Sequence, residues 1–112
     1  IIAPVYQVYR STVIGIINIS SEVPSGFSLK QNYPNPFNPE TSIRFSVPKS
    51  SNVTIQVFDI TGRLVSTLAK DEFVSVGTKE VKFNASNLAS GIYFYTLRAG
   101  DFTDTKKMIL VK

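Results

Sequence analysis

Cysteine, histidine and tryptophan are all absent from this 112-residue chain. Without Cys there is no disulfide, no thiolate nucleophile and no zinc finger; without His the commonest general base and metal ligand are gone. The absence of Cys says only that no disulfide is needed and assigns no compartment. Charge is sparse too: the net value is +4, with the bases spread along the chain rather than gathered into the stripe that a nucleic-acid surface would need. No apolar run approaches the ~20 residues of a membrane span, and no charged segment precedes an apolar core, so neither a transmembrane segment nor a signal peptide is expected in these residues. The acids, Glu22, Glu40, Asp59, Asp71, Glu72, Glu80, Asp101 and Asp104, form no catalytic motif. Asp71-Glu72 and Asp101 with Asp104 read as turn residues, too irregular for a calcium loop. There is no Gly-rich phosphate cradle, no nucleophile elbow and no zinc signature, so neither enzymatic activity nor a cofactor or metal is expected.

What is present is strand. Apolar residues make up 43% and aromatics 12% of the chain, enough for one domain with its own core. The stretch FSLKQNYPNPFNPETSIRFSV, residues 27 to 47, carries prolines at 34, 36 and 39. Each fixes φ, removes a backbone donor and pushes the preceding residue toward extended geometry. The segment therefore reads as a rigid edge or crossing strand that lays Tyr33 and Phe37 onto a core. Period-two alternation follows: Ile43, Phe45 and Val47, then Val53, Ile55 and Val57. Asp59-Ile60-Thr61-Gly62-Arg63 is a turn with Gly62 suited to positive φ, and Leu64 to Leu68 resumes the pattern. Val81 and Phe83 alternate with Glu80, Lys82 and Asn84. Asn84 to Ser90 reads as a crossing loop, and Gly91 opens a strand, Ile92 to Arg98, that is apolar or aromatic on both faces, as a central strand is. Ala99-Gly100-Asp101 turns into a last strand from Phe102 to Lys112. About seven short strands with regular turns and no helical period predict an all-β fold, an antiparallel β-sandwich with an extended N-terminal arm.

That arm, residues 1 to 20, holds a single charge, Arg10, and strong strand formers: Val5, Tyr6, Val8, Tyr9, Val13, Ile14, Ile17 and Ile19. It must pair with something. One reading makes it the end of an upstream region or one more strand of this domain. The other makes it an assembly arm that donates a β-strand to a neighbouring subunit, building a homo-oligomer or extracellular filament. Residues 21 to 26, SEVPSG, read as a hinge. The chain opens with Ile rather than Met, which points to a processed chain or a piece of a longer one.

With these pieces in view, residues 27 to 112 closely resemble the C-terminal sorting domain of the type IX secretion system of Bacteroidota, the type A sorting domain. The resemblance rests on GFSLKQNYPNPFNPETSIRFSVP, then VTIQVFDITGRLVSTL, then LASGIYFYTLRAGDFTDTKKMILVK. It implies an immunoglobulin-like sandwich and export to the extracellular or outer-membrane surface. The implied partners are the type IX machinery and a sortase-like enzyme that processes the protein and attaches it to surface lipopolysaccharide. The family's Asn-Pro signature falls on Asn32 to Pro39, with Asn35 and Pro36 at its centre; its Gly-x-Tyr signature falls on Gly91 and Tyr93, and its terminal lysines on Lys106, Lys107 and Lys112. Each also has a structural use. The Asn-Pro run sets the first strand, Gly91 permits a tight strand start and Tyr93 buries a ring with its hydroxyl near the edge. The lysines are the best recognition candidates: a basic patch around Met108 to Val111, readable by charge and by strand addition in an acidic groove. Their structural use is to keep an edge soluble.

Overall fold

The computed structural model describes residues 15–112; Val5, Tyr6, Val8, Tyr9, Val13 and Ile14 of the expected arm lie outside them. The described chain forms eight strands: β1 Ile16–Ser20, β2 Ser28–Leu29, β3 Glu40–Val47, β4 Ser51–Asp59, β5 Leu64–Val74, β6 Gly77–Asn84, β7 Gly91–Ala99 and β8 Phe102–Leu110. They make two antiparallel sheets, β1-β6-β3-β2 and β5-β4-β7-β8, packed as a sandwich.

The alternation in sequence sets which face is buried. Ile43, Phe45 and Val47 of β3 pair in register with Val81, Lys79 and Gly77 of β6 and face inward. From the other sheet come Val53, Ile55 and Val57 of β4, Tyr93, Tyr95 and Leu97 of β7, and Met108 and Leu110 of β8. This is one core between two apolar faces. The Asp59 turn forms as its residues require: Gly62 takes φ 90°, and the Asp59 carboxylate accepts from the Thr61 N–H at 2.9 Å and the Thr61 hydroxyl at 2.6 Å. These bonds, the Thr61 hydroxyl foremost, hold the Asp59 carboxyl below its ordinary pKa. Residues 85–90 carry the chain from one sheet to the other, with the Leu88 N–H bonded to the Ala85 carbonyl at 3.0 Å.

Two expectations are corrected. Tyr33 is 80% exposed, not part of the core. It exchanges backbone hydrogen bonds with Ser42, whose side chain sits on the outer face of β3, so the ring shares that face. Asp71-Glu72 lies within β5 and Asp104 within β8, rather than in turns. Strand β5 runs on because bulges absorb its irregularity: its register against β4 shifts between Val53 and Phe58, and Asp71 adopts φ 49° with its N–H on the Thr54 hydroxyl. The described residues hold eight strands, in keeping with the β-sandwich of about seven expected from sequence.

The edge strands divide into two flanks. On one, β2 lies over β8; on the other, β1 and β5 face each other across a groove. Ile17 and Ile19, the only residues of the expected arm's apolar set within the described region, lie on β1, which pairs with β6 of the same chain. The two strands approach closely where Gly77 starts β6. A Cβ there would collide with the Ser20 carbonyl oxygen, and its φ of 134° also favours glycine.

Candidate functional site

The three separated sequence signatures meet on the last strand. On its inner side β8 pairs with β7 along its whole length, which sets Gly91 opposite Leu110 and Tyr93 opposite Met108. Along its other edge runs the Asn-Pro segment. The Gln31 amide donates to the Lys107 carbonyl at 2.7 Å, and the Ile109 N–H donates to the Asn35 side-chain oxygen at 2.9 Å. Phe37 then donates its N–H to the Ile109 carbonyl and accepts from the Val111 N–H, both at 2.9 Å. The Thr105 N–H is taken by the Asp104 carboxylate at 2.9 Å. An edge strand ordinarily offers a row of free donors and acceptors; on β8 the groups from the Lys107 carbonyl to the Val111 N–H are already engaged.

The prolines explain how one segment serves two strands. Residues 30–33 bond to β3 through Lys30, Tyr33, Arg44 and Ser42, and after Pro34 and Pro36 the chain has crossed to β8. Proline cannot donate to a ladder, so the run bonds at isolated points instead of forming a continuous strand. The Tyr33-Pro34, Asn35-Pro36 and Asn38-Pro39 peptide bonds are cis. Phe37, 1% exposed, anchors the crossing, its ring 6.1 Å from that of Phe83.

Beneath the crossing lies a polar network in the core. Tyr95 is fully buried; its hydroxyl accepts from the Asn32 N–H and donates to the Lys30 carbonyl, both at 2.7 Å. Burial pushes the Tyr95 hydroxyl pKa up to about 12, against the hydrogen bond from Asn32, which lowers it. The Asn32 amide donates to the Thr41 hydroxyl at 2.9 Å and accepts from Gln31 at 2.7 Å, while Thr41 donates to the Pro34 carbonyl. Every buried side-chain polar atom among the described residues has a partner. Such a network fixes one geometry because any slip leaves a buried group unsatisfied.

The lysines do not make one patch. Lys106 shares the inward side of β8 with Met108 and is half-buried, whereas Lys107 points outward and is exposed. The register sets Lys107 in a row across the outer face with Phe94 of β7, Phe58 of β4 and Leu64 of β5. Beside it, Ile92 stands opposite Ile109. Lys112 folds back instead: its ammonium donates to the Ser86 and Leu88 carbonyls at 2.7 and 2.8 Å and its N–H to the Ser90 hydroxyl at 3.0 Å. It pins the terminus to the crossing loop. Tyr93, 7% exposed, donates its hydroxyl to the Ala89 carbonyl of the same loop at 2.6 Å. Gly91 has φ 156° and open space where a Cβ would stand. Asn35 accepts from β8, and Pro36 sits between it and the Phe37 anchor. Strand addition along the C-terminal half of β8, expected from sequence, is blocked by the segment already there.

Sequence reasoning passed over Gln31, Thr41 and Tyr95. Tyr95 left a signal, because a tyrosine in the inward phase of a central strand needs a partner for its hydroxyl. Among the described residues no cluster of acids could hold a metal, and no helix is long and apolar enough to cross a membrane.

A family model described as Secretion system C-terminal sorting domain matches residues 31–112. The match begins at Gln31, whose amide donates to the Lys107 carbonyl of β8, and ends with Lys112. No curated protein matches the chain.

Proposed function

The chain belongs to the family of secretion system C-terminal sorting domains, and we propose that the type IX export machinery reads it through side chains displayed around the last strand. The observation that supports this reading is the convergence of the Asn-Pro segment, Gly91, Tyr93 and the terminal lysines on β8. With the backbone of the C-terminal half of this edge already engaged, recognition there falls to what projects: the Lys107 ammonium at the end of the row formed with Phe94, Phe58 and Leu64, the Lys106 head, and Val111, which is half exposed. A cation beside apolar surface suits a partner groove that is apolar with an acidic rim. Asn35, Pro36, Gly91, Tyr93 and Lys112 act indirectly by holding the strand and its terminus in place. After export, processing by a sortase-like enzyme and attachment at the outer-membrane surface complete the proposed route.

The test is a fusion of the complete chain to a periplasmic reporter in a host with a type IX system. The unaltered fusion is expected outside the cell. Lys106→Ala with Lys107→Ala is expected to retain it in the periplasm, and Lys107→Ala alone, an exposed substitution that shifts stability by only about ±0.5 kcal/mol, controls for packing lost at the half-buried Lys106. Export of the double variant at the unaltered level would contradict the role of the lysines. A fusion that stays inside despite an intact last strand would contradict the sorting reading as a whole.

A further inference from the structure

The opposite flank holds a feature that sorting at β8 does not use. Three of the four sheet edges are guarded. β8 is paired by residues 31–37; β5 is broken by bulges and carries Lys70, Asp71 and Glu72; β2 is two residues long and leads into the prolines. β1 is the least guarded of them among the described residues: its register slips once against β6, between Asn18 and Ser20, but its sequence Ile-Ile-Asn-Ile-Ser is uncharged and without proline, and Ile17 and Ile19 are 48% and 37% exposed.

Beside it, between β1 and the end of β5, lies a groove of about 340 Å³ lined by Ile16, Asn18, Phe73, Ser75, Glu72 and Lys79, among others. Phe73 is 68% exposed. Lys79 comes from the interior: it is the inward neighbour of Phe45, 4% exposed, and its ammonium donates to the Asn18 amide oxygen at 2.7 Å and the Ser75 hydroxyl at 2.9 Å. Both acceptors are neutral. The ion pairs among the described residues are Arg44–Glu80, Arg63–Asp59 and Lys82–Glu80, none of which includes Lys79. An ammonium has three hydrogens, two of them used here, and burial of a cation without a counter-ion is costly.

We propose that the β1 edge and this groove bind an extended segment of another protein that carries a carboxylate, its backbone adding to β1 and its carboxylate seated on Lys79. Charge selects this occupant. Residues 1–14 contain no Asp or Glu, so the segment next to β1, in its own copy or a second one, has no side-chain carboxylate to offer Lys79. Main-chain pairing supplies affinity, and the charge-assisted bond in a shielded site supplies selectivity. Glu72, on the same groove but outside ion-pair distance of Lys79, opposes the incoming acid. The proposal is independent of the sorting reading, since it uses neither β8 nor its lysines.

The experiment is a nuclear magnetic resonance titration of the complete chain with a blocked eight-residue peptide of alternating Thr and Val carrying one Glu, alongside the same peptide with Gln. The Glu peptide is expected to shift the amide signals of β1 and the Lys79 side chain and to bind about tenfold more tightly than the Gln peptide, the equivalent of about 1.4 kcal/mol. Lys79→Met, which removes the charge while keeping an apolar stem, is expected to erase that difference and leave the fold intact; Glu72→Gln is expected to tighten binding. Equal binding of the two peptides would overturn the proposal. So would a Glu72→Gln variant that loses stability in step with Lys79→Met, because Glu72 would then be the counter-ion. Polymerisation of the full chain that stops on deleting residues 1–14 would overturn it as well, by giving the edge to a second copy's arm.

Discussion

The two flanks of the sandwich solve the same problem in opposite ways. Between β2 and β8 the gap is sealed by residues 31–37, which place Phe37 in the core and tie the last strand at Lys107, Ile109 and Val111. Among the described residues nothing crosses between β1 and β5, and Lys79, buried there, is met only by an amide oxygen and a hydroxyl. Both flanks begin from the same physics, since the edge of a sheet carries unpaired backbone groups. What differs is the sequence placed alongside: prolines, an anchoring aromatic and amides on one flank, a short uncharged strand on the other. Sealing is therefore a property that the Asn-Pro segment adds, and it explains how a strand at the chain terminus presents side chains rather than backbone.

The largest effect is expected from removing the anchor. Phe37→Ala should destabilise the domain by about 3–5 kcal/mol, as burial of a large ring implies, and should expose β8 to exchange while β1 is little changed. Chemical denaturation measures the first and residue-resolved exchange the second. Next, Tyr95→Phe leaves the Asn32 N–H and the Lys30 carbonyl without their partner, a loss of about 1–3 kcal/mol. The same hydroxyl gives a pH signature. Its folded pKa is raised, so its stabilising contribution is complete below pH 10 and falls as pH rises from the ordinary tyrosine value of 10.0 toward about 12. Unfolding free energy measured across that range should decline, and the part of the decline due to Tyr95 should vanish in Tyr95→Phe. Asn35→Ala removes one bond to the last strand and should cost about 1 kcal/mol. Smallest of all, Ile17→Thr on the open flank should leave stability within about ±0.5 kcal/mol. A larger loss there would mean that the open flank is closed by contacts with the rest of the chain.

Much of this contrast is legible in the order of the residues alone. Period-two alternation places Ile43, Phe45, Val47, Val53, Ile55 and Val57 in the core, and the prolines announce a crossing segment anchored by Phe37. The pairing of that segment with a strand about 70 residues away is not legible, because no local pattern encodes which edge an irregular segment will follow. Tyr33 escapes for the same reason: its face is decided by its partner Ser42, not by its neighbours. Lys79 is readable in principle. One further step of the alternation through Phe83 and Val81 points it inward, where a lysine demands an explanation. The motifs of the candidate site are visible individually, but the division of the lysines is only partly so: Lys106 and Lys107 fall on opposite faces as period two dictates, while the fold of Lys112 onto the Ser86 and Leu88 carbonyls depends on a loop that only the tertiary structure brings near.

Amide hydrogen exchange at Phe37, Ile109 and Val111, compared with β1 in the same sample, tests the sealing of the last strand most directly. The account predicts that these three amides exchange only with global unfolding, while β1 exchanges through smaller openings. If Ile109 and Val111 exchange as readily as the β1 edge, the last strand is open, and recognition by strand addition returns in place of recognition by side chains.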